Sequence, residues 1–121
     1  MDVVKISYKD KAVTACNKGI DVILKTQILY NGKKTVWCAQ HDEVTLEPAL
    51  ARSYELPSFS GSESVGIVRT LMLVDNPSTE IIEAINGAID WFNNSKIVGY
   101  KLIDVIDGQP DPTSSYENGK D

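Results

Sequence analysis

Trp37-Cys-Ala-Gln-His-Asp-Glu43, continued by Ala51-Arg-Ser-Tyr-Glu-Leu56 and Ser60-Gly-Ser-Glu-Ser-Val-Gly-Ile-Val-Arg69, decides how this chain is read. From Cys38 to Phe59 the sequence follows neither the two-residue alternation of a strand nor the 3.6-residue period of a helix. Pro48 and Pro57 punctuate it, and Tyr54-Glu-Leu56 reads as a brief extended piece. A loop of this length is uncommon in a compact domain and is usually functional or disordered. Its Tyr and Leu content, with Trp37 at its edge, favours a packed, ordered one. A loop that mixes His, Arg and acids between helices is where a rigid scaffold usually keeps its chemistry.

On the N-terminal side, Val13, Cys16, Ile20, Ile23 and Leu24 recur at three- and four-residue spacing. This predicts a helix from about Lys9 to Ile28, with the Asp10 carboxylate as N-cap. Gly19 in mid-helix costs about 1 kcal/mol relative to Ala, which predicts a close neighbour there. Asn31-Gly32 between Ile28-Leu-Tyr30 and Lys33-Lys-Thr-Val-Trp37 predicts a type I′ hairpin, too short for a core sheet and so a decoration between helices.

On the C-terminal side, Ser60 and Glu63 fit a capping box, each taking the other's orphan amide. The helix that follows carries Val65, Val68, Leu71 and Met72 on one side. Asp75-Asn-Pro-Ser78 breaks it. A further helix is predicted from about Thr79 to Asn94, with Ile81, Ile82, Ile85, Ala88, Ile89 and Phe92 on its apolar face. Ile97 to Ile106 turns strand-like, and 108–121 reads as a polar loop or frayed tail. The fold class is mainly α: paired helices, a short β-hairpin and long functional loops, in a single unit spanning 1–121.

The 121 residues are 42% apolar and 24% charged, ordinary for a globular chain. Twelve basic against seventeen acidic side chains leave a net charge of −5, which weighs against a nucleic-acid partner. No run approaches the roughly 20 apolar residues of a membrane span, and Met1-Asp-Val-Val-Lys-Ile6 lacks the pattern of a signal peptide. Cys16 and Cys38 read as two free buried thiols, with a disulfide as the alternative.

Each candidate for chemistry has a plainer explanation beside it. His41-Asp42-Glu43 offers three metal ligands, but neighbours on an extended loop point in different directions, so a polar loop with His41 hydrogen-bonding a substrate is the preferred reading. Ser60, Ser62 and Ser64 with the lone His41 lack a Gly-x-Ser-x-Gly elbow and are explained by helix capping. Neither GxxxxGK nor GxGxxG occurs. Asn93-Asn-Ser95 is a glycosylation sequon at a helix end. Arg52 and Arg69 stand among small or apolar residues, where an unpaired buried charge would cost several kcal/mol. They therefore need an anionic partner, either an internal acid (Glu47, Glu55 or Glu63) or a ligand carboxylate.

The three quoted segments, with Gly32-Lys-Lys-Thr-Val-Trp37 before them and Asn76-Pro-Ser-Thr-Glu-Ile-Ile82 after, resemble the central part of pectate lyases of polysaccharide lyase family ten, over about Lys18 to Lys96. The resemblance implies a toroid of paired α-helices and a secreted or extracellular enzyme that cleaves polygalacturonate by β-elimination with calcium as cofactor. It implies that this chain is part of a longer catalytic module, monomeric when full length, with the calcium ligands and further arginines outside it. It makes Arg52 the first choice for the base that removes the C5 proton and Arg69 the second. Charge developing on the neighbouring carboxylate would be stabilised by nearby cations. A neighbouring cation and desolvation would help to destabilise the protonated guanidinium. Trp37, Gln40, His41, Asp42, Tyr54 and Ser62 would line or shape the groove. The alternative is a non-catalytic helical piece that binds acidic glycan or only packs against the rest of its fold.

Overall fold

The structure is a computed structural model that describes residues 6–102 and 116–118. In chain order the elements are α1 (Ile6–Thr26), β1 (Leu29–Tyr30), β2 (Lys33–Lys34), α2 (Gly61–Met72), α3 (Thr79–Ser95), β3 (Tyr100–Leu102) and β4 (Tyr116–Asn118). β1 pairs antiparallel with β2, and β3 with β4. The mainly helical class is as expected. The strand-like stretch is confined to Tyr100–Leu102 among the described residues, and Tyr116–Asn118 of the polar tail is its partner. The rest of 103–121 lies outside the described residues. Among those described, no helix is long and apolar enough to cross a membrane.

α3 is the hub, touching α1, α2 and the hairpin. Its apolar spacing puts Ile81, Ala84 and Ala88 inside, where they meet Val68 and Leu71 of α2 and Val36 and Trp37 from the segment after the hairpin. The two alanines let neighbouring backbone come close. Ile20, Ile23 and Leu24 of α1 pack at the margin of this core. The outer part of the α1 stripe does not: Val13 and Cys16 are exposed. Ile82, Ile89, Val65 and Met72 are likewise exposed. Sequence periodicity thus finds the apolar stripes, while only part of each is covered in the described structure.

Several local expectations change. α1 begins at Ile6, so Asp10 lies inside the helix and is not its cap. A side chain at Gly19 would meet nothing within 4 Å. The glycine with a close neighbour is Gly87 of α3, where an added Cβ would sit 2.7 Å from Lys34 Cβ and 2.8 Å from Lys34 O. The hairpin is therefore no decoration, because β2 rests directly on α3. Its Asn31 and Gly32 have the positive φ of the expected turn (50° and 73°). The pairing continues past the strands through Ile28 N–H to Val36 O (3.0 Å) and Thr35 N–H to Ile28 O (2.9 Å), which delivers Val36 and Trp37 to the core.

Buried polar groups secure this junction. Gln27 follows α1, and its Nε2 donates to Thr35 O (2.9 Å) and Ala84 O (2.8 Å), tying the end of α1, the hairpin and α3 together. Ser64, fully buried in α2, accepts from Trp37 N–H (3.0 Å) and lies 3.3 Å from Trp37 O. Ser60 N–H also donates to Trp37 O (2.8 Å). That bond explains why the capping box does not form as expected. The Ser60 amide that Glu63 would have taken is used by Trp37, and the Ser60 hydroxyl donates to the Glu63 carboxylate instead.

Candidate functional site

The loop between the hairpin and α2 leaves the core at Trp37 and returns at Ser60, which pair with each other. Trp37 is only 1% exposed, and its indole N–H donates to Ile23 O at 2.8 Å. It is a core residue that anchors the loop, so of the two expected roles, lining or shaping the groove, only shaping is open to it. An indole sealed against α1 has no face to offer a sugar.

Cys38 and His41 build the first half of the loop. Cys38 is buried and free, as is usual for a lone thiol. Its Sγ accepts from Ser58 N–H (3.4 Å), drawing the two ends of the loop together. Cys16 is also free but exposed, so the reading of two buried thiols holds for Cys38 alone, and there is no disulfide. Cys38 N–H donates to His41 Nε2 (3.1 Å), while His41 Nδ1 lies 3.0 Å from Leu46 O. A carbonyl only accepts, so Nδ1 carries the proton and Nε2 is the acceptor. Both ring nitrogens are occupied by backbone. His41 shapes the loop and has no free nitrogen for a substrate or a metal.

Asp42 serves the same turn. Its Oδ1 accepts from Val44 N–H (2.9 Å) and Thr45 N–H (2.7 Å). These backbone donors, Thr45 first, hold its carboxyl below the usual aspartate range. Leu46 sits at φ 63°, a left-handed conformation that costs a bulky residue roughly 1–2 kcal/mol. It is held there by its own N–H to Asp42 O (3.0 Å) and by His41 on its carbonyl. Glu63 is also held below its ordinary value, chiefly by the Ser60 hydroxyl.

The second half of the loop carries Arg52 and Tyr54. Residues 52–55 form a turn closed by Glu55 N–H to Arg52 O (2.9 Å), which overlaps the brief extended piece expected at Tyr54-Glu-Leu56. The turn projects its side chains outward: Tyr54 is 97% exposed and the Arg52 side chain 85%. Arg52 Nε contacts Glu55 Oε2 at 3.1 Å. This is one of the internal acids anticipated as a partner. The supposed cause of the pairing, burial in apolar surroundings, is absent.

Arg69 is exposed too, in the last turn of α2, where a cation is favoured by the helix dipole. It stands nine residues beyond Ser60, roughly 13 Å along the helix axis, so α2 carries it away from the loop. Gln40 and Ser62 are exposed, Ser62 in the first turn of α2. The site residues thus divide. Arg52, Tyr54, Gln40 and Ser62 are free to meet a ligand, Trp37 is core, and His41 and Asp42 are committed to the turn. No described contact joins Arg52 to Arg69.

The model of one family, the pectic acid lyases, matches residues 1–117. The chain belongs to the pectic acid lyase family. Two solved structures of a family 10 polysaccharide lyase from Cellvibrio cellulosa are similar to it at 42% sequence identity. Their TM-scores are 0.79 and 0.78, and one of them is an aspartate-to-alanine mutant in complex with trigalacturonic acid. Each match covers 84% of this chain and 32% of the solved chain, so the chain spans about a third of the length of these relatives. No curated protein matches it.

Within this lyase-family chain, sequence reading missed three residues on which the site's placement depends: Ser64, Gln27 and Gly87. Ser64 was hidden by its place in a run of alternating serines. Its signal was the i+4 offset from Ser60, which puts both on the helix face toward Trp37. Gln27 and Gly87 gave no local signal, because their partners lie far along the chain. The calcium that the resemblance implies finds no cage here. Among the described residues, no group of three or more His, Cys, Asp or Glu is placed to hold a metal, and Asp42 has one oxygen already committed to its turn.

Proposed function

We propose that the chain is part of a pectate lyase that cleaves polygalacturonate by β-elimination, with Arg52 as the base. Family membership supports the reaction class, and the trigalacturonic acid bound by the related lyase supports the substrate. The observation that carries the choice of Arg52 is its position: an exposed guanidinium on a turn whose base is anchored by Trp37, Cys38 and Ser60. Arg69, the second choice, sits at a helix end where the dipole already accounts for it.

In the proposed step Arg52, once it has given up its own proton to the alkaline solvent, takes the proton from C5 of a galacturonate. The electron pair left behind forms the C4–C5 double bond, the bond from C4 to the glycosidic oxygen breaks, and that oxygen takes up a proton. For this, Arg52 must leave Glu55 and turn to C5. The pair is exposed and held by a single contact, a class that typically contributes about 0–1 kcal/mol, so a bound uronate can displace it. Tyr54, Gln40 and Ser62 are proposed to contact the sugar. Calcium is kept as a proposed cofactor with ligands elsewhere, and no step is derived through it. The helices are proposed to be one segment of an (α/α) toroid, in a secreted protein that is monomeric when full length.

The test is incubation with polygalacturonate at alkaline pH, with and without calcium, following the ultraviolet absorbance of the unsaturated product. Absorbance should rise for the wild type, fall by at least about 100-fold in rate for Arg52→Lys, the scale of a lost acid–base group, and change little for Arg69→Lys. Retained activity in Arg52→Lys would remove that residue from the role. A second reading is favoured by the exposed apolar residues of α1, such as Val13 and Val22: a non-catalytic piece that packs against the rest of a fold or binds acidic glycan. A flat trace from wild-type protein, with trigalacturonate binding retained, would favour it.

A further inference from the structure

A recess lies between the hairpin and the outer side of α3, with a volume of about 660 Å³. That is within the roughly 300–1,000 Å³ of small-molecule sites. None of Gln40, Arg52, Tyr54 or Ser62 lines it. Its floor exists because Gly87 has no side chain and lets Lys34 come down onto the helix.

Its walls combine two kinds of surface. Along α3, Glu83, Asn86, Asp90 and Asn94 recur at three- and four-residue spacing, forming one polar stripe on the face away from Ala84 and Ala88. At the rim stand the aromatic rings of Tyr30 and Trp91. Phe59 lies between them, 6.0 Å from Tyr30 edge-on and 5.6 Å from Trp91. Tyr30 is 60% exposed, so apolar ring surface remains available at the rim.

The charges balance. Lys33 and Lys34 face Glu83 and Asp90, and Lys34 already pairs with Glu83 at 3.4 Å. With two lysines set against two acids, the groove offers no net positive charge to hold the carboxylates of a polyuronate. A neutral sugar needs no such charge: its C–H faces can lie on the rings, while its hydroxyls donate to the carboxylates and accept from the amides. We infer that the groove between the hairpin and α3 is a second saccharide site, one that takes a neutral oligosaccharide in preference to a polyuronate.

The test is a titration of the protein with neutral tetrasaccharides of galactose, glucose and xylose, and with trigalacturonate for comparison. Calorimetry gives the affinities, and amide NMR shifts give the location. At least one neutral tetrasaccharide should bind and shift the signals of residues 30–35 and 83–94. The double variant Asp90→Ala, Asn94→Ala should weaken it by about tenfold, the scale of one to two lost hydrogen bonds. Both side chains are exposed and alanine favours helix, so an unchanged circular dichroism spectrum will accompany the loss. Three results would each overturn the inference: no neutral tetrasaccharide binding at millimolar concentration, binding whose shifts fall on residues 50–56, or trigalacturonate binding in this groove as tightly as the best neutral sugar.

Discussion

Two glycines in helix interiors offer a direct measurement of how firmly the hairpin is seated. Gly19 in α1 and Gly87 in α3 gain the same thing from replacement by alanine, about 1 kcal/mol of helix propensity. What differs is the space each Cβ enters. At Gly19 it meets nothing within 4 Å, whereas at Gly87 it would lie 2.7 Å from Lys34 Cβ, 2.8 Å from Lys34 O and 3.1 Å from Lys34 C. Carbon atoms prefer about 3.5–4.0 Å, so β2 would have to retreat by about 1 Å. It is poorly placed to do so, since Gln27 holds Thr35 O at 2.9 Å and Val36, two residues on, is fully buried. Overpacking of this kind costs about 1–3 kcal/mol. Gly19→Ala should therefore stabilise by about 0.5–1 kcal/mol, and Gly87→Ala should destabilise by up to about 2 kcal/mol after the propensity gain is set against the clash. Because propensity enters both, the difference between the variants reports the clash alone. In urea, with a slope of about 1–3 kcal/mol per molar, the two midpoints should separate by about 1 M on opposite sides of wild type. If both midpoints rise together, the close seating of Lys34 on α3 is wrong, and the proposed saccharide groove loses its floor.

Two further outcomes concern the turn that precedes Arg52. His41→Ala removes the acceptor for Cys38 N–H and the donor to Leu46 O, so urea unfolding should show a loss of about 1–3 kcal/mol, the cost of a buried amide left unpaired; no loss would mean that the ring is not the staple described. Asp42, with its carboxyl held low by two backbone donors, contributes stability that is present above the ordinary aspartate range and is lost as pH falls through its lower folded value. Asp42→Asn keeps the Oδ1 acceptor but removes the titration, so unfolding midpoints followed from about pH 6 to pH 3 should fall less steeply for the variant than for wild type, and parallel curves would contradict the assignment.

The sequence was most legible where the chain answers to itself. The hairpin turn at Asn31-Gly32 and the start of α3 at Ser78, whose hydroxyl accepts from Ile81 N–H, rest on residues within four positions of one another. The family resemblance was legible for a different reason, that several adjoining motifs occur in order. What could not be read were the choices made by distant partners. Trp37 was expected to line or shape the groove, and the indole's bond to Ile23 and the buried Ser64 made it core. His41 and Asp42 looked like chemistry because they are polar and adjacent. The left-handed Leu46, which no spacing announces, is what commits both of them to the turn. Arg52 was singled out as a buried charge in need of a partner, yet it is an exposed one that happens to have an acid three residues away.

That last difference bears on how the proposed base would work. A buried, well-matched guanidinium would have to be pulled from its partner at a cost of several kcal/mol, and a substrate could not do this without losing most of its own binding energy. The arrangement here is the opposite: a rigid anchor at Trp37 and Ser60, a turn held by His41 and Asp42, and at the outer end a single exposed contact to Glu55. Glu55→Gln removes the competing carboxylate without moving the turn, whose backbone bond from Glu55 N–H to Arg52 O is untouched. If Arg52 must leave this partner before it meets a uronate, the variant should bind trigalacturonate more tightly, by up to about fivefold for an interaction worth about 0–1 kcal/mol. Weaker binding by Glu55→Gln would mean that the carboxylate orients Arg52 toward the sugar, and the displacement step would then have no basis.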